Sequence, residues 1–142
     1  MILSRTCEYA IRASVYIAYT SSLGRKAGIA EIADAIGSPV HFTGKILQEL
    51  SRKQVLASLK GPNGGFYLGE DRSVFLIDIV RAIDGEELFT ACGMGLKSCS
   101  DAEPCPMHNQ LKPIKSQLLA EFSKKSLNEM VKEYEQKRYF LK

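Results

Sequence analysis

The run Gly61-Pro62-Asn63-Gly64-Gly65 constrains this chain more than any other segment, because five residues of that kind suit a tight reversal and little else. On either side of it, Val55 to Lys60 and Phe66-Tyr67-Leu68 have the short, branched and aromatic character of strands, so a β-hairpin is expected over 55–68. Glycine at 64 and 65 permits positive φ and a tip bare of side chains, which lets backbone amides approach another molecule closely.

What precedes the hairpin gives it a context. Ala10, Ala13, Ser14 and Ile17, interleaved with Ile11, Val15 and Ala18, make a helical stripe over 6–19. Ile29, Ile32, Ala33 and Ile36 repeat at helical spacing, and Gly37 stands where a C-cap belongs. Ser38-Pro39 then opens a third helix, Ser38 as cap and Pro39 in the first helical position. That helix sets Phe42, Ile46, Leu47 and Leu50 on one side and leaves His41, Lys45, Gln48, Arg52 and Lys53 on the other. Two short helices across a tight turn, the second basic on its outer face and followed directly by a hairpin, predict a winged helix-turn-helix.

Charge distribution supports the same direction. The net charge is only +3, but Lys45, Arg52, Lys53 and Lys60 face Glu49 alone within 38–60, whereas Glu86, Glu87, Asp101 and Glu103 outweigh Lys97 within 86–105. Ser38, His41, Thr43 and Lys45 are therefore the candidates to face a DNA groove. Arg5, Arg52, Lys53 and Lys60, with the amides of Asn63 and Gly64, are the candidates for phosphate contact.

Beyond the hairpin, Leu76, Ile79, Val80 and Ile83 predict another helix, ended by Asp84-Gly85. Glu86 to Pro104 is aperiodic and long for a passive connection. Leu111, Ile114, Leu118, Leu119 and Phe122 resume helical spacing, with Pro113 expected to kink or delay the helix, and Ser126 with Glu129 forms a capping box for a last one. The tail from Lys132 is expected to fray. The division expected is a DNA-binding domain over 1–85, a cysteine-bearing loop over 86–105, and a dimerisation helix with tail over 106–142. An apolar arm without a partner inside so small a module predicts burial against a second copy, and a two-fold dimer offers two recognition helices to two half-sites.

Cys92, Cys99 and Cys105 gather in the aperiodic loop while Cys7 stands apart. Their Cys-x6-Cys-x5-Cys spacing lacks the Cys-x2-Cys grip typical of a zinc knuckle and suits a larger body such as an iron-sulfur cluster. Zinc completed by His108 and plain unligated thiols remain open on spacing alone. Cys7 is read as a small core residue.

With its Leu3-Ser4 opening, Tyr9-Ala10, the wing from Gly61 to Leu68, Asp78-Ile79-Val80 and three cysteines before a long helix, the chain resembles, over nearly its whole length, the bacterial Rrf2 family of winged-helix regulators. The resemblance implies a mainly α fold with a small β-hairpin wing and a long C-terminal dimerisation helix. It also implies a homodimer on a palindromic double-stranded DNA operator and, in sensor members, a [2Fe-2S] or [4Fe-4S] cluster that preparation in air can remove. Cys92, Cys99 and Cys105 match the cluster cysteines. The fourth ligand carried over is either His108 or Glu8, the latter given by the other subunit; read by itself, Glu8 would pair with Arg12 or Arg5.

The function expected is a transcription regulator whose DNA affinity follows the cluster or redox state of the loop. Alternatives are a cofactor-free repressor controlled by a partner protein, and a cluster or redox carrier that does not bind DNA. No serine-histidine-aspartate or paired-carboxylate pattern stands out, so an enzyme is not expected. The longest charge-free stretch, Ala13 to Gly24, falls short of the roughly 20 residues of a membrane span, and Arg5, Glu8 and Arg12 interrupt any secretory signal, so a cytoplasmic protein is expected.

Overall fold

Ser4 accepts the Cys7 amide at 3.1 Å and so starts α1 (Arg5–Ser22) in the computed structural model, which describes residues 2–142. There follow α2 (Ile29–Ile36), α3 (Val40–Arg52), β1 (Ala57–Leu59), β2 (Gly65–Tyr67), α4 (Leu76–Ile83), α5 (Glu87–Thr90), α6 (His108–Lys124) and α7 (Leu127–Glu135). The fold is mainly helical with one two-stranded antiparallel hairpin.

Gly37 ends α2 as expected, at φ +67°, a left-handed conformation that costs glycine nothing. The next turn departs from expectation. Pro39, not Ser38, is the residue before the helix, and its carbonyl receives both the Thr43 amide and the Thr43 hydroxyl at 2.9 Å. The Ser38 hydroxyl is shielded and caps nothing among the described residues.

The strands are shorter than predicted because Gln54, at φ +61°, turns the chain after α3 and sends Val55 and Leu56 into the core. The hairpin pairs Ala57 with Tyr67, Ser58 with Phe66 and Leu59 with Gly65. Ala27 adds a further rung, exchanging backbone bonds of 3.0 and 2.8 Å with Phe66. A Cβ at Gly65 would meet the Ala27 carbonyl oxygen at 2.7 Å, so this close pairing requires glycine there.

One core gathers Ala10, Ala13 and Ile17 of α1, Ile32 and Ile36 of α2, Leu47 and Leu50 of α3, Phe66 of the wing and Ile79 of α4. Leu127, Met130 and Val131 of α7 complete it, because paired bonds of 2.8 Å between 74–76 and 125–127 bring the α6–α7 joint alongside the segment before α4. The tail does not fray. Leu141 is 6% exposed, Tyr139 donates to the Met130 carbonyl, and Arg12 donates to the carbonyls of Leu141 at 3.2 Å and Ile36 at 3.1 Å. Hydrophobic burial thus overrides the charged composition that argued for mobility.

A second, smaller cluster joins Cys7, Ile77, Val80 and Phe89, with Leu118, Leu119 and Phe122 of α6 packed on it. Phe89 belongs to the single turn α5, where no periodicity was visible, and stands edge-on to Phe122 at 5.9 Å. Helix α6 therefore rests partly on its own chain. It starts at His108, so Pro113 lies inside it and does not delay it. Among the described residues no helix is long and apolar enough to cross a membrane.

Burial of the tail gives a direct test. Leu141→Ala should lower the unfolding free energy by about 2–5 kcal/mol in urea denaturation, as expected for a core leucine; a change below about 0.5 kcal/mol would mean that the tail is loose.

Candidate nucleic-acid interface and thiol site

On α3 the positions 41, 45, 48 and 52 follow helical spacing along one face, and His41, Lys45, Gln48 and Arg52 are all exposed. Thr43 is not with them: it is fully buried and bonded to Pro39, so it shapes the turn and is not available to a base edge. Ser38 is half-buried with a shielded hydroxyl.

Glu49 modifies the basic face. Arg52 approaches it at 2.6 Å and Lys53 at 3.1 Å, and these two cations, Arg52 foremost, hold the Glu49 carboxyl down at about 2. Lys53, 40% exposed, also donates to the Ala82 carbonyl at the end of α4. Lys45, Lys60 and Arg5 are exposed and form no ion pair among the described residues.

At the wing tip the Gly64 amide donates to the Gly61 carbonyl at 2.9 Å, and a Cβ on Gly64 would lie 2.0 Å from the Leu59 oxygen. Its role is therefore steric, and the amide predicted to meet phosphate is already engaged in the turn. Asn63 and Lys60 remain exposed there.

Cys99 reaches the first turns of α6, Cys105 stands just before them, and Cys92 follows Ala91, whose carbonyl accepts from Lys115 of α6. Cys92, 9% exposed, accepts the Met94 amide at 3.4 Å; the amides of Leu96 and Met94, with smaller help from the Cys105 thiol, pull its thiol below the ordinary range. Cys99 Sγ lies 3.6 Å from His108 Nδ1 and 3.5 Å from Lys115 Nζ. His108 is buried, its amide bonded to the Cys105 carbonyl at 3.0 Å and its Nε2 lying 2.7 Å from Asp101. Lys112, and secondarily His108, keep the Asp101 carboxyl below the usual carboxylate range.

Sequence reasoning missed Asp101, Lys112 and Lys115. The two lysines had a signal, since 108, 112 and 115 share one helical face, but nothing local links Asp101 to a histidine across an irregular loop. Glu8 is bonded to none of the cysteines, and the ion pair read for it is absent among the described residues, because Arg12 is turned to the Ile36 and Leu141 carbonyls and to the face of Tyr9 at 4.4 Å. Cys7 is wholly buried, and burial followed by Asp84 pushes its thiol up to about 12. That makes it a core residue, as read.

Among the described residues no three histidine, cysteine or acidic side chains close on a point suited to a single metal ion. Cys99 stands 3.6 Å from His108, and Cys92 and Cys105 belong to the same loop. As a donor set, three thiols and one imidazole match the ligand chemistry of a polynuclear iron-sulfur cluster.

The family model described as Rrf2, iron-dependent transcriptional regulator, matches residues 3–133. The chain belongs to the Rrf2 family. An Aquifex aeolicus protein named as an HTH-type transcriptional regulator is 31% identical over 134 residues, 92% of each chain. The HTH-type transcriptional regulator IscR of Xenorhabdus nematophila is 26% identical over 136 residues, 95% of this chain and 82% of that one. In three dimensions the chain is similar to CymR, the global cysteine regulator of B. subtilis, at TM-score 0.74 and 15% identity, covering 92% of this chain and 95% of that one. Family membership makes this an Rrf2-type transcriptional regulator and implies DNA binding.

The inward placement of Thr43 separates two roles. Thr43→Ala should cost about 1 kcal/mol of stability through the lost hydroxyl bond and leave base preference unchanged in binding to a randomised duplex library. Altered base preference at wild-type stability would return Thr43 to the interface.

Proposed function

We propose that the protein is a homodimeric, sequence-specific DNA-binding regulator whose operator affinity is set by an iron-sulfur cluster held by Cys92, Cys99, Cys105 and His108. The observation that carries this reading is the meeting of the Cys99 thiol with the buried His108 imidazole at the head of α6, with Cys92 and Cys105 on the same loop, in a chain that also presents an exposed basic helix and wing. A redox or metal carrier has no need of the second feature. In this reading His41, Lys45 and Gln48 face the major groove, while Lys60, Asn63, Arg5 and Arg52 meet phosphates.

Dimerisation supplies the second reader of a palindromic operator. Its support is that α6, 17 residues long, buries only His108 fully and leaves Ile114 61% exposed, with Leu118 and Leu119 half covered. A second copy of α6 would cover that remaining stripe.

A bound cluster supplies a redox-responsive tie among the loop thiolates. The chain's own residues relay the position of that loop. Phe89, just before Cys92, packs on Phe122 of α6, and the end of α4 holds α3 through Lys53 and Ala82 and α1 through Asp84 and Ser4. A change in how the loop sits on α6 therefore bears on the angle between the reading head and the dimer helix, and it acts as a switch through differential DNA affinity of the two states.

Anaerobic purification with iron and sulfide analysis, followed by operator binding with and without the cluster, tests this. Cys99→Ala should lose the brown chromophore and shift affinity in the direction that oxidant produces in the wild type. Wild type that holds no iron, or binds DNA identically in both states, would sink the cluster reading and leave DNA binding standing.

Lys60→Ala should weaken binding to all duplexes about equally and flatten the salt dependence by about one charge, whereas His41→Ala should change base discrimination by roughly 1–3 kcal/mol. An unchanged salt slope removes Lys60 from the contact set. Ile114→Glu should leave the fold intact and give monomers by sedimentation. Wild type sedimenting as a monomer at micromolar concentration overturns the dimer.

A further inference from the structure

Between the irregular loop and α6, His108 is the one buried side chain of α6, with 6% of its surface exposed. Its two ring nitrogens meet different partners. Nε2 lies 2.7 Å from Asp101 Oδ1, and Nδ1 lies 3.6 Å from Cys99 Sγ. A carboxylate has no proton to donate, so the bond to Asp101 requires the hydrogen to be on Nε2. In the neutral ring, the form that binds metals, Nδ1 is then a bare lone pair on the side where Cys99 stands.

The carboxylate is itself held. Lys112, one helical turn beyond His108, reaches both Asp101 oxygens at 2.7 Å. Lys115, on the same face, bonds the Ala91 carbonyl at 2.6 Å and approaches Cys99 at 3.5 Å. Asp101 is thus fixed between an ammonium and an imidazole, although it lies in a segment with no regular structure.

From these contacts we infer that Asp101 is a positioning residue for the thiol site: it locks His108 as the Nε2–H tautomer and selects Nδ1 as the atom presented to a metal centre on Cys99. The inference rests on the proposed ligation by Cys92, Cys99, Cys105 and His108 and names which atom of His108 takes part. A ligating imidazole whose far N–H is held by a carboxylate is fixed in orientation and made a stronger donor, and loss of such a partner weakens metal retention by about 10–100-fold. If Asp101 instead only pins the loop to α6, its effect runs through Lys112 and not through the imidazole. Lys112→Met separates the two, because it removes the pin and keeps the Asp101–His108 bond.

The test uses the full chain in two forms. In metal-free, reduced protein carrying 15N-histidine, long-range proton–nitrogen NMR at a pH where the ring is neutral should report the Nε2–H tautomer at His108 in wild type and Lys112→Met, and a mixture in Asp101→Ala. After anaerobic reconstitution with iron and sulfide, pulsed electron resonance of the reduced cluster should show a ligating histidine nitrogen in wild type and Lys112→Met. Asp101→Ala should lose iron to a chelator about 10–100-fold more readily. An unchanged tautomer and unchanged retention in Asp101→Ala overturn the inference, as does Lys112→Met behaving like Asp101→Ala. Iron-loaded wild type with no histidine nitrogen coupling overturns it alone, whereas wild type that takes up no iron ends it together with the cluster reading.

Discussion

The C-terminal end of α4 is the joint on which the rest of this structure depends. Asp84 accepts the Ser4 backbone N–H at 2.9 Å and also its hydroxyl, so the cap that starts α1 is secured by a residue 80 positions away. Two residues earlier, the Ala82 carbonyl receives the Lys53 ammonium from the end of α3. The cysteine-bearing segment leaves from the same place, after Gly85 at φ +76°. Helices α1 and α3 and the cysteine-bearing loop thus share one attachment. Charge-assisted bonds to unpaired helix-terminal groups are directional, which makes such a joint stiff where apolar packing alone would permit sliding.

The surface of α3 and the wing shows how a modest net charge is given a direction. Glu49 offsets part of the Arg52 and Lys53 charge, leaving Lys45 and Lys60 as the exposed cations nearest the helix start and the wing. Long-range attraction to a polyanion needs only that surplus, while orientation is set by which cations are already paired. The acidic segment 86–105 lies after α4, away in sequence from this surface, and one of its carboxylates, Asp101, is drawn into the thiol site by Lys112.

At the thiol site the same economy is visible in a smaller space. Backbone amides attend Cys92, an imidazole and an ammonium attend Cys99, and the Cys105 carbonyl starts α6 by accepting the His108 amide. Beyond Phe89, which packs on Phe122, residues 93–104 are mostly exposed, so these polar contacts hold that part of the loop to α6.

Residue type alone determined a good deal of this protein. Gly37 had to end α2, the glycines of 61–65 had to reverse the chain, Ser126 and Glu129 had to cap α7, and the apolar periods of α1 to α4 had to face inward, because each is a local consequence of φ, ψ and spacing. The winged helix was legible for that reason. What the chain could not declare locally was decided by contacts between distant residues. Thr43 turned inward because Pro39 left it a carbonyl, and Lys53 was diverted to α4. The charged tail was held by burial of Leu141, and Asp101 reached His108 only because an irregular loop folded back on α6. Periodicity reports which face of an element is apolar; which polar atom finds which partner depends on how the elements pack, and only the tertiary structure decides that.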